Sequence, residues 1–258
     1  MNTTQKPLLP VYDHRQGAGP TLVFLHYWGG SARTWDLVVD RLAGRDLLTV
    51  DFRGWNRSSN LTGPYTLRRF AEDTLAVIAD SGITDYVLVG HSMGGKVAQL
   101  VAATRPAGLR GIVLVGSGPA KPATAVTAEY REALSHAYDS EESVARARDD
   151  VLTATELPAS IKAQIVADSR AGADAARTEW PLRGIAEDIA EHTRMISVPS
   201  LVVAGGNDRV EPAGVLINNL VPYLSGAEFV VIPHTGHLIP LEAPADLVNA
   251  ITAFAPAA

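Results

Sequence analysis

The 258-residue chain contains no cysteine. That absence removes disulfide staples, thiolate metal sites and a cysteine nucleophile together, so any nucleophile must be an oxygen or an amine. Positive charge is also short. Twenty-two Lys and Arg stand against 28 Asp and Glu, a formal net charge of -6, which argues against a basic surface for nucleic acid or anionic lipid. Neither is expected as a partner. Long apolar runs are missing too: stretches such as Ile112–Val115 fall far below the roughly 20 residues needed to cross a bilayer. The first twenty residues are polar and broken by Pro7, Pro10 and Pro20, with no basic run leading into an apolar stretch. No secretory signal is expected from that pattern, and a cytoplasmic protein is the expectation. What is present, 47% hydrophobic and 19% charged residues, suffices for one large core, or at most for a core plus an inserted lid, and excludes a disordered or collagen-like chain.

Six short runs are apolar at every position: 21–26 (TLVFLH), 47–51 (LLTVD), 86–91 (YVLVGH), 111–117 (GIVLVGS), 200–206 (SLVVAGG) and 228–234 (EFVVIPH). Continuous apolarity predicts strands covered on both faces, as in a parallel sheet. Helical spacing lies between them: Trp35, Val38, Val39 and Leu42; Phe70, Leu75 and Ile78 behind a Thr66 cap; Val97, Leu100 and Val101 stopped by Pro106; and a final helix through Leu247, Ile251 and Phe254. Strand and helix alternate, which is the pattern of a doubly wound α/β fold.

The alternation breaks once. Residues 118–199 contain no strand-like run and are rich in Ala, Glu, Asp and Arg, with helices predicted over 127–138, 141–152, 159–180 and 184–196 and Pro122, Pro158 and Pro181 near their ends. The expected organisation is therefore a core formed by 1–117 and 200–258, with a helical cap, 118–199, over the strand ends where open α/β sheets bind ligands.

The run at 86–91 leads into Gly90-His91-Ser92-Met93-Gly94-Gly95 and then a helical segment. A serine on a strand-to-helix turn, with glycine two positions to either side, is a nucleophile elbow: the turn strains the serine backbone, and a Cβ at 90 or 94 would block close backbone approach. A serine hydroxyl needs an adjacent base, which histidine usually supplies. Seven histidines are present. His14 lies in the polar N-terminal stretch, His136 and His192 in the cap, and His26 and His91 at strand ends. His237 follows the last strand on a loop between Gly236 and a helix, where it can reach over the sheet; His234, at the strand end, is its rival. The base needs a carboxylate to orient it. Asp208, on the turn after 200–206, is the candidate, with Glu211 its only close competitor. The chain order is then Ser92, Asp208, His237, the order of the α/β hydrolases.

On these residues the chain resembles the α/β-hydrolase fold superfamily over nearly its whole length. The motifs Gly90-His91-Ser92-Met93-Gly94-Gly95, Asp51-Phe52-Arg53-Gly54 and Gly236-His237 are similar to those of small bacterial serine esterases grouped with cofactor-free haloperoxidases. Relatives with Asp at the elbow, the haloalkane dehalogenases and epoxide hydrolases, are excluded as close functional matches. The resemblance implies an oxyanion hole made by the backbone amides of Met93 and Trp28. The chain departs from the family at Tyr27, where glycine is usual, and at Gly29, where peroxide-using members often carry proline, which makes ester hydrolysis the stronger expectation than perhydrolysis. The turn at Asp51 is read as structural.

The expected function is a serine hydrolase of carboxylic esters or lactones acting through an acyl-enzyme, with a small-molecule substrate and no cofactor or metal. Tyr27, Tyr130, Tyr138 and Trp180 are the candidate pocket walls. The same triad serves carbon–carbon bond hydrolases, enol-lactonases and thioesterases. A reading of a different class is a ligand-binding protein that keeps the cavity with slow turnover or none. Sequence does not set the oligomeric state.

Overall fold

All six continuous apolar runs become strands of one sheet in the computed structural model, which describes residues 8–256. In chain order these are β2 (Ala18–Leu25), β3 (Arg45–Val50), β4 (Tyr86–His91), β5 (Leu109–Val115), β6 (Ser200–Gly205) and β7 (Glu228–Ile232). Both faces are used, as their composition requires. Val23, Leu25, Leu88, Ile112, Leu114 and Val202 point into one core layer, while Leu22, Phe24, Val87, Val89, Val113 and Val203 point into the other. This is the period-2 alternation of a strand with helices on either side.

Two edges correct the sequence expectation. A seventh strand, β1 (Tyr12–Arg15), lies in the stretch read as a polar lead-in, and it pairs antiparallel with β3. Its residues alternate between half-buried and exposed, so it carries no continuous apolar run. At the opposite edge β7 is apolar but only partly covered: Ile232 is buried, whereas Val230 and Val231 are 38% and 45% exposed.

The spatial order is β1-β3-β2-β4-β5-β6-β7, with every pair other than β1 and β3 parallel. The chain passes from β2 outward to β3, then returns to the other side of β2 as β4. That reversal opens a crevice beyond the carboxyl ends of β2 and β4, where doubly wound sheets bind their ligands. The loop after β2 carries Tyr27 and Trp28, and the turn after β4 carries Ser92.

Thr66 caps the helix Leu67–Ser81 by accepting the Arg69 amide, and Gly82, at φ 74°, ends it. The helix Met93–Ala103 stops short of Pro106. Between β5 and β6 the chain is helical, with differences in detail. The helix Ala128–Ser135 forms as expected, and Glu141–Ala147 passes into a π-turn over Arg148–Leu152. The single helix expected over 159–180 is two, Ala159–Arg170 and Asp174–Leu182. The break has a tertiary cause. A Cβ on Gly172 would lie 2.6 Å from the Trp55 ring, and the Ala173 amide donates to the Gly54 carbonyl at 2.8 Å. The helix expected over 184–196 is a 3-10 turn, Gly184–Ala186, and a short helix, Ala190–Thr193.

Buried polar groups fasten this segment to the sheet layers. Asp168, 2% exposed, accepts hydrogen bonds from Ser31 Oγ at 2.8 Å and Asn56 Nδ2 at 3.0 Å, and pairs with Arg33. Lys96, fully buried in the helix after the elbow, donates through Nζ to the carbonyls of Gly184 and Glu187. Burial pulls the Lys96 ammonium down to about 8, against the pull of Glu187 and Glu211.

Candidate active site

Ser92 sits at φ 53° and ψ -116°, a backbone region that side chains other than hydrogen rarely tolerate. Its neighbours hold it there. The Ser92 amide donates to Val115, and the Ser92 carbonyl accepts from Gly118, both at 3.0 Å. The flanking glycines are steric necessities: a Cβ on Gly90 would stand 2.4 Å from the Gly94 carbonyl oxygen, and one on Gly94 would stand 2.3 Å from that of Leu25. The Ser92 side chain does not cap the helix that follows it, so the hydroxyl is not spent on the local backbone and lines a cavity of about 280 Å³.

His237 lines the same cavity and is 2% exposed. Its Nδ1 lies 2.8 Å from Asp208 Oδ2, across 29 residues of sequence. The other carboxylate oxygen, Oδ1, accepts the amides of Val210 at 2.8 Å and Glu211 at 2.9 Å. Burial works against the Asp208 charge, but the His237 ring and those two amides outweigh it and hold the carboxyl below its usual range. An ionised carboxylate accepts only, so Nδ1 carries the proton and Nε2 keeps its lone pair.

The rivals fall away on geometry. His234 is exposed, on a turn at φ 58°, and the Glu211 carboxyl does not bond His237. The loop that carries His237 is gripped from outside the sheet: the amides of His237 and Leu238 both donate to the Leu152 carbonyl, at 2.8 and 3.1 Å. Glu242 Oε2 accepts from Gly236 at 3.1 Å and from Ala154 at 2.7 Å.

Tyr27, Trp28, Tyr130, Tyr138 and Trp180 all line the cavity. Trp28 stacks on Tyr138 at 4.0 Å between centroids and donates its indole N–H to the Arg177 carbonyl at 2.9 Å. Tyr130 is 41% exposed, at the rim. The turn at 27–30 closes through the Gly30 amide on the Tyr27 carbonyl, at 3.0 Å, and leaves the Trp28 amide outside that bond. Gly29 takes the positive φ of this turn, +88°, so a tyrosine is accommodated at 27 without left-handed strain. The Met93 amide opens the helix after Ser92, where first-turn N–H groups have no partner within the helix. The Met93 side chain faces a separate, smaller cavity of about 130 Å³.

Two histidines read as strand ends hold the site in place. His26 Nδ1 is 2.7 Å from the Tyr27 carbonyl, and its Nε2 accepts the Phe52 amide at 3.0 Å, which ties the loop after β2 to the one after β3. Burial lowers its pKa. Asp51 accepts the Ala32 amide at 2.7 Å and pairs with Arg57, in keeping with a structural turn. His91 Nε2 donates to the His237 carbonyl at 2.8 Å, while its Nδ1 is buried without a partner among the described residues.

Burial, with the neighbouring His237 adding to it, pulls His91 down to about 3. Unfolded histidine titrates near 6.5, so below that pH the unfolded chain gains a proton the folded chain refuses, and stability falls as pH drops from about 6.5 towards 3. His91 alone should remove about 2 kcal/mol between about pH 7 and pH 5. Urea denaturation at the two pH values measures this, and His91→Gln should flatten the slope; an unchanged slope would remove His91 as its source.

Among the described residues no group of three or more His, Asp or Glu side chains could hold a metal ion, and no helix is long and apolar enough to cross a membrane.

A mostly parallel sheet with its strand order reversed above Ser92, followed by Asp208 and His237 on later loops, defines an α/β hydrolase. The profile of the alpha/beta hydrolase family matches residues 22–251, and the chain belongs to that family. It is 27% identical to the sn-1-specific diacylglycerol lipase of Mus musculus, over 98% of this chain and 87% of the relative. It is also 27% identical to a non-heme haloperoxidase of Rhodococcus erythropolis, over 91% of each. An esterase from Exiguobacterium antarcticum superposes with a TM-score of 0.86 at 20% identity, covering 94% of each chain, and so shares the fold.

Proposed function

We propose that the protein is a serine hydrolase of carboxylic esters or lactones that works through an acyl-enzyme. The observation that carries this reading is a serine held at φ 53° in the same apolar cavity as a histidine whose far nitrogen is bonded to a buried aspartate. Ser92 Oγ attacks the substrate carbonyl carbon while His237 Nε2 takes its proton. Asp208 fixes the ring in that tautomer and stabilises the imidazolium that forms. The amides of Met93 and Trp28 receive the oxyanion, each worth on the order of 3 kcal/mol of transition-state stabilisation. The tetrahedral intermediate collapses, His237 returns the proton to the leaving alkoxide, and the alcohol departs. Water then attacks the acyl-serine with His237 again as base, the acid leaves and Ser92 regains its hydrogen. A lactone follows the same course, with the alcohol still tethered to the acyl group.

The aromatic and aliphatic lining supports uncharged substrates, since Tyr27, Trp28, Tyr138 and Trp180 are all buried and the cavity wall carries no Lys or Arg among the described residues. The lipase relative supports a reading of ester cleavage. The test is labelling by a fluorophosphonate together with hydrolysis of p-nitrophenyl butyrate. Both should be present in the wild type and lost in Ser92→Ala. Labelling that survives the substitution would end the proposal, and a wild type inert in both assays would favour a non-catalytic binding role.

A further inference from the structure

The proposed chemistry makes no use of one buried carboxyl at the cavity wall. Glu211 is 6% exposed, and its side chain forms no hydrogen bond or ion pair among the described residues, although its own amide is fixed on Asp208 Oδ1 at 2.9 Å. The residue stands at a junction. Tyr130, Ile185, Val210 and Glu211 line both the 280 Å³ cavity of Ser92 and a second cavity of about 200 Å³ beyond it. The boundary between the two cavities is thus made of three side chains with large apolar bodies and one carboxyl.

The groups facing Glu211 are Asp208 on its own turn, Lys96 from the helix behind the elbow, and Tyr130 from the helix Ala128–Ser135, while Arg209, which lines the second cavity with it, is bonded to the Asp150 carbonyl. Lys96 Nζ is committed to the carbonyls of Gly184 and Glu187 and gives Glu211 no ion pair. Burial first, and the Asp208 charge second, push the Glu211 carboxyl well above its usual range, with Lys96 opposing. His237 and two amides favour the charged form of Asp208, so of these adjacent carboxyls Glu211 is the one whose neutral form its surroundings favour. In its neutral form this carboxyl faces the cavities with an O–H that has no acceptor among the described residues, and a ligand that supplies one is favoured.

We propose that Glu211 is a specificity residue: its carboxyl recognises a second hydrogen-bond acceptor, a keto, ether or ester oxygen, in an uncharged substrate whose apolar parts fill the two cavities. This rests on the reading of Ser92 as the nucleophile. The ligand class is an ester or lactone with an oxygen set between two hydrocarbon portions, and the same carboxyl disfavours a substrate bearing a carboxylate at that point.

The experiment compares p-nitrophenyl octanoate with isosteric esters in which an ether or keto oxygen is moved along the acyl chain, and octyl acetate with its oxa analogues for the alcohol side. The wild type should prefer one oxygen position in one series by about tenfold in kcat/KM over the plain ester. Glu211→Gln, which still donates, should keep that ratio; Glu211→Leu should bring it to about one. The preference should also fade in the wild type as pH rises through the Glu211 titration, and not in Glu211→Gln. A ratio within each enzyme cancels any general loss of activity or folding. Equal ratios in wild type and Glu211→Leu would overturn the assignment while leaving Ser92 intact. A wild type that hydrolyses none of the esters would instead overturn the nucleophile reading and this one with it.

Discussion

Replacing Ser92 with glycine should make the protein more stable and catalytically dead. The serine occupies φ 53° and ψ -116°, where a Cβ is strained by about 1–3 kcal/mol. Glycine relieves that strain but loses about 0.5–1 kcal/mol through the greater freedom of its unfolded chain. The balance favours glycine by on the order of 1 kcal/mol, a rise of about 2–4 °C in Tm for a chain of this size. Ser92→Ala keeps the Cβ and should show no such rise. Both variants should lose on the order of 10⁵-fold in kcat, because in the proposed mechanism the hydroxyl is the group that forms the acyl bond. Calorimetry beside an esterase assay separates the effects. A Ser92→Gly protein melting below the wild type would mean that the elbow stores no strain.

Asp208→Asn should preserve the fold and lower kcat by about 10⁴-fold. The substitution keeps the shape, but an amide N–H aimed at His237 Nδ1 stabilises the wrong tautomer and leaves Nε2 protonated, unable to accept from Ser92. KM should change little, since Asp208 does not line the cavity. Removing the Asp208 charge also removes one of the causes that hold Glu211 up, so the titration of Glu211 should move down in this variant. A loss of less than tenfold would mean that another group orients the histidine.

Much of this architecture was legible in the sequence because the relevant signals are local. A strand buried on both faces must be apolar at every position, and a strained serine turn must place glycine where backbone crowds it. Asp208 and His237, which bond in the fold, and Ser92, which lines the same cavity as His237, could be proposed together because each follows a strand. Other features depend on contacts distant in the chain. The polar strand β1 exists because β3 offers it an edge, and nothing in Tyr12–Arg15 announces a partner. The helix expected over 159–180 breaks because Trp55 and Gly54 occupy the space around Gly172. His91 ends a strand in the sequence, whereas in the fold it props the backbone of His237. Glu211 read as a rival to Asp208 because the two lie three residues apart, and the bond of His237 to Asp208 together with the cavity boundaries separates them.

The grip of Leu152 and Glu242 on the histidine loop bears on how this enzyme can change. The segment that lines the cavity of Ser92 also supports His237, through the Leu152 carbonyl on the amides of His237 and Leu238. A swinging lid would pull the imidazole out of line each time it opened, so entry is better served by rim side chains such as Tyr130 turning aside. Swapping this helical segment for that of a relative, a common route to a new substrate range, should therefore cost turnover number as well as selectivity unless the join at 152–155 is carried over unchanged.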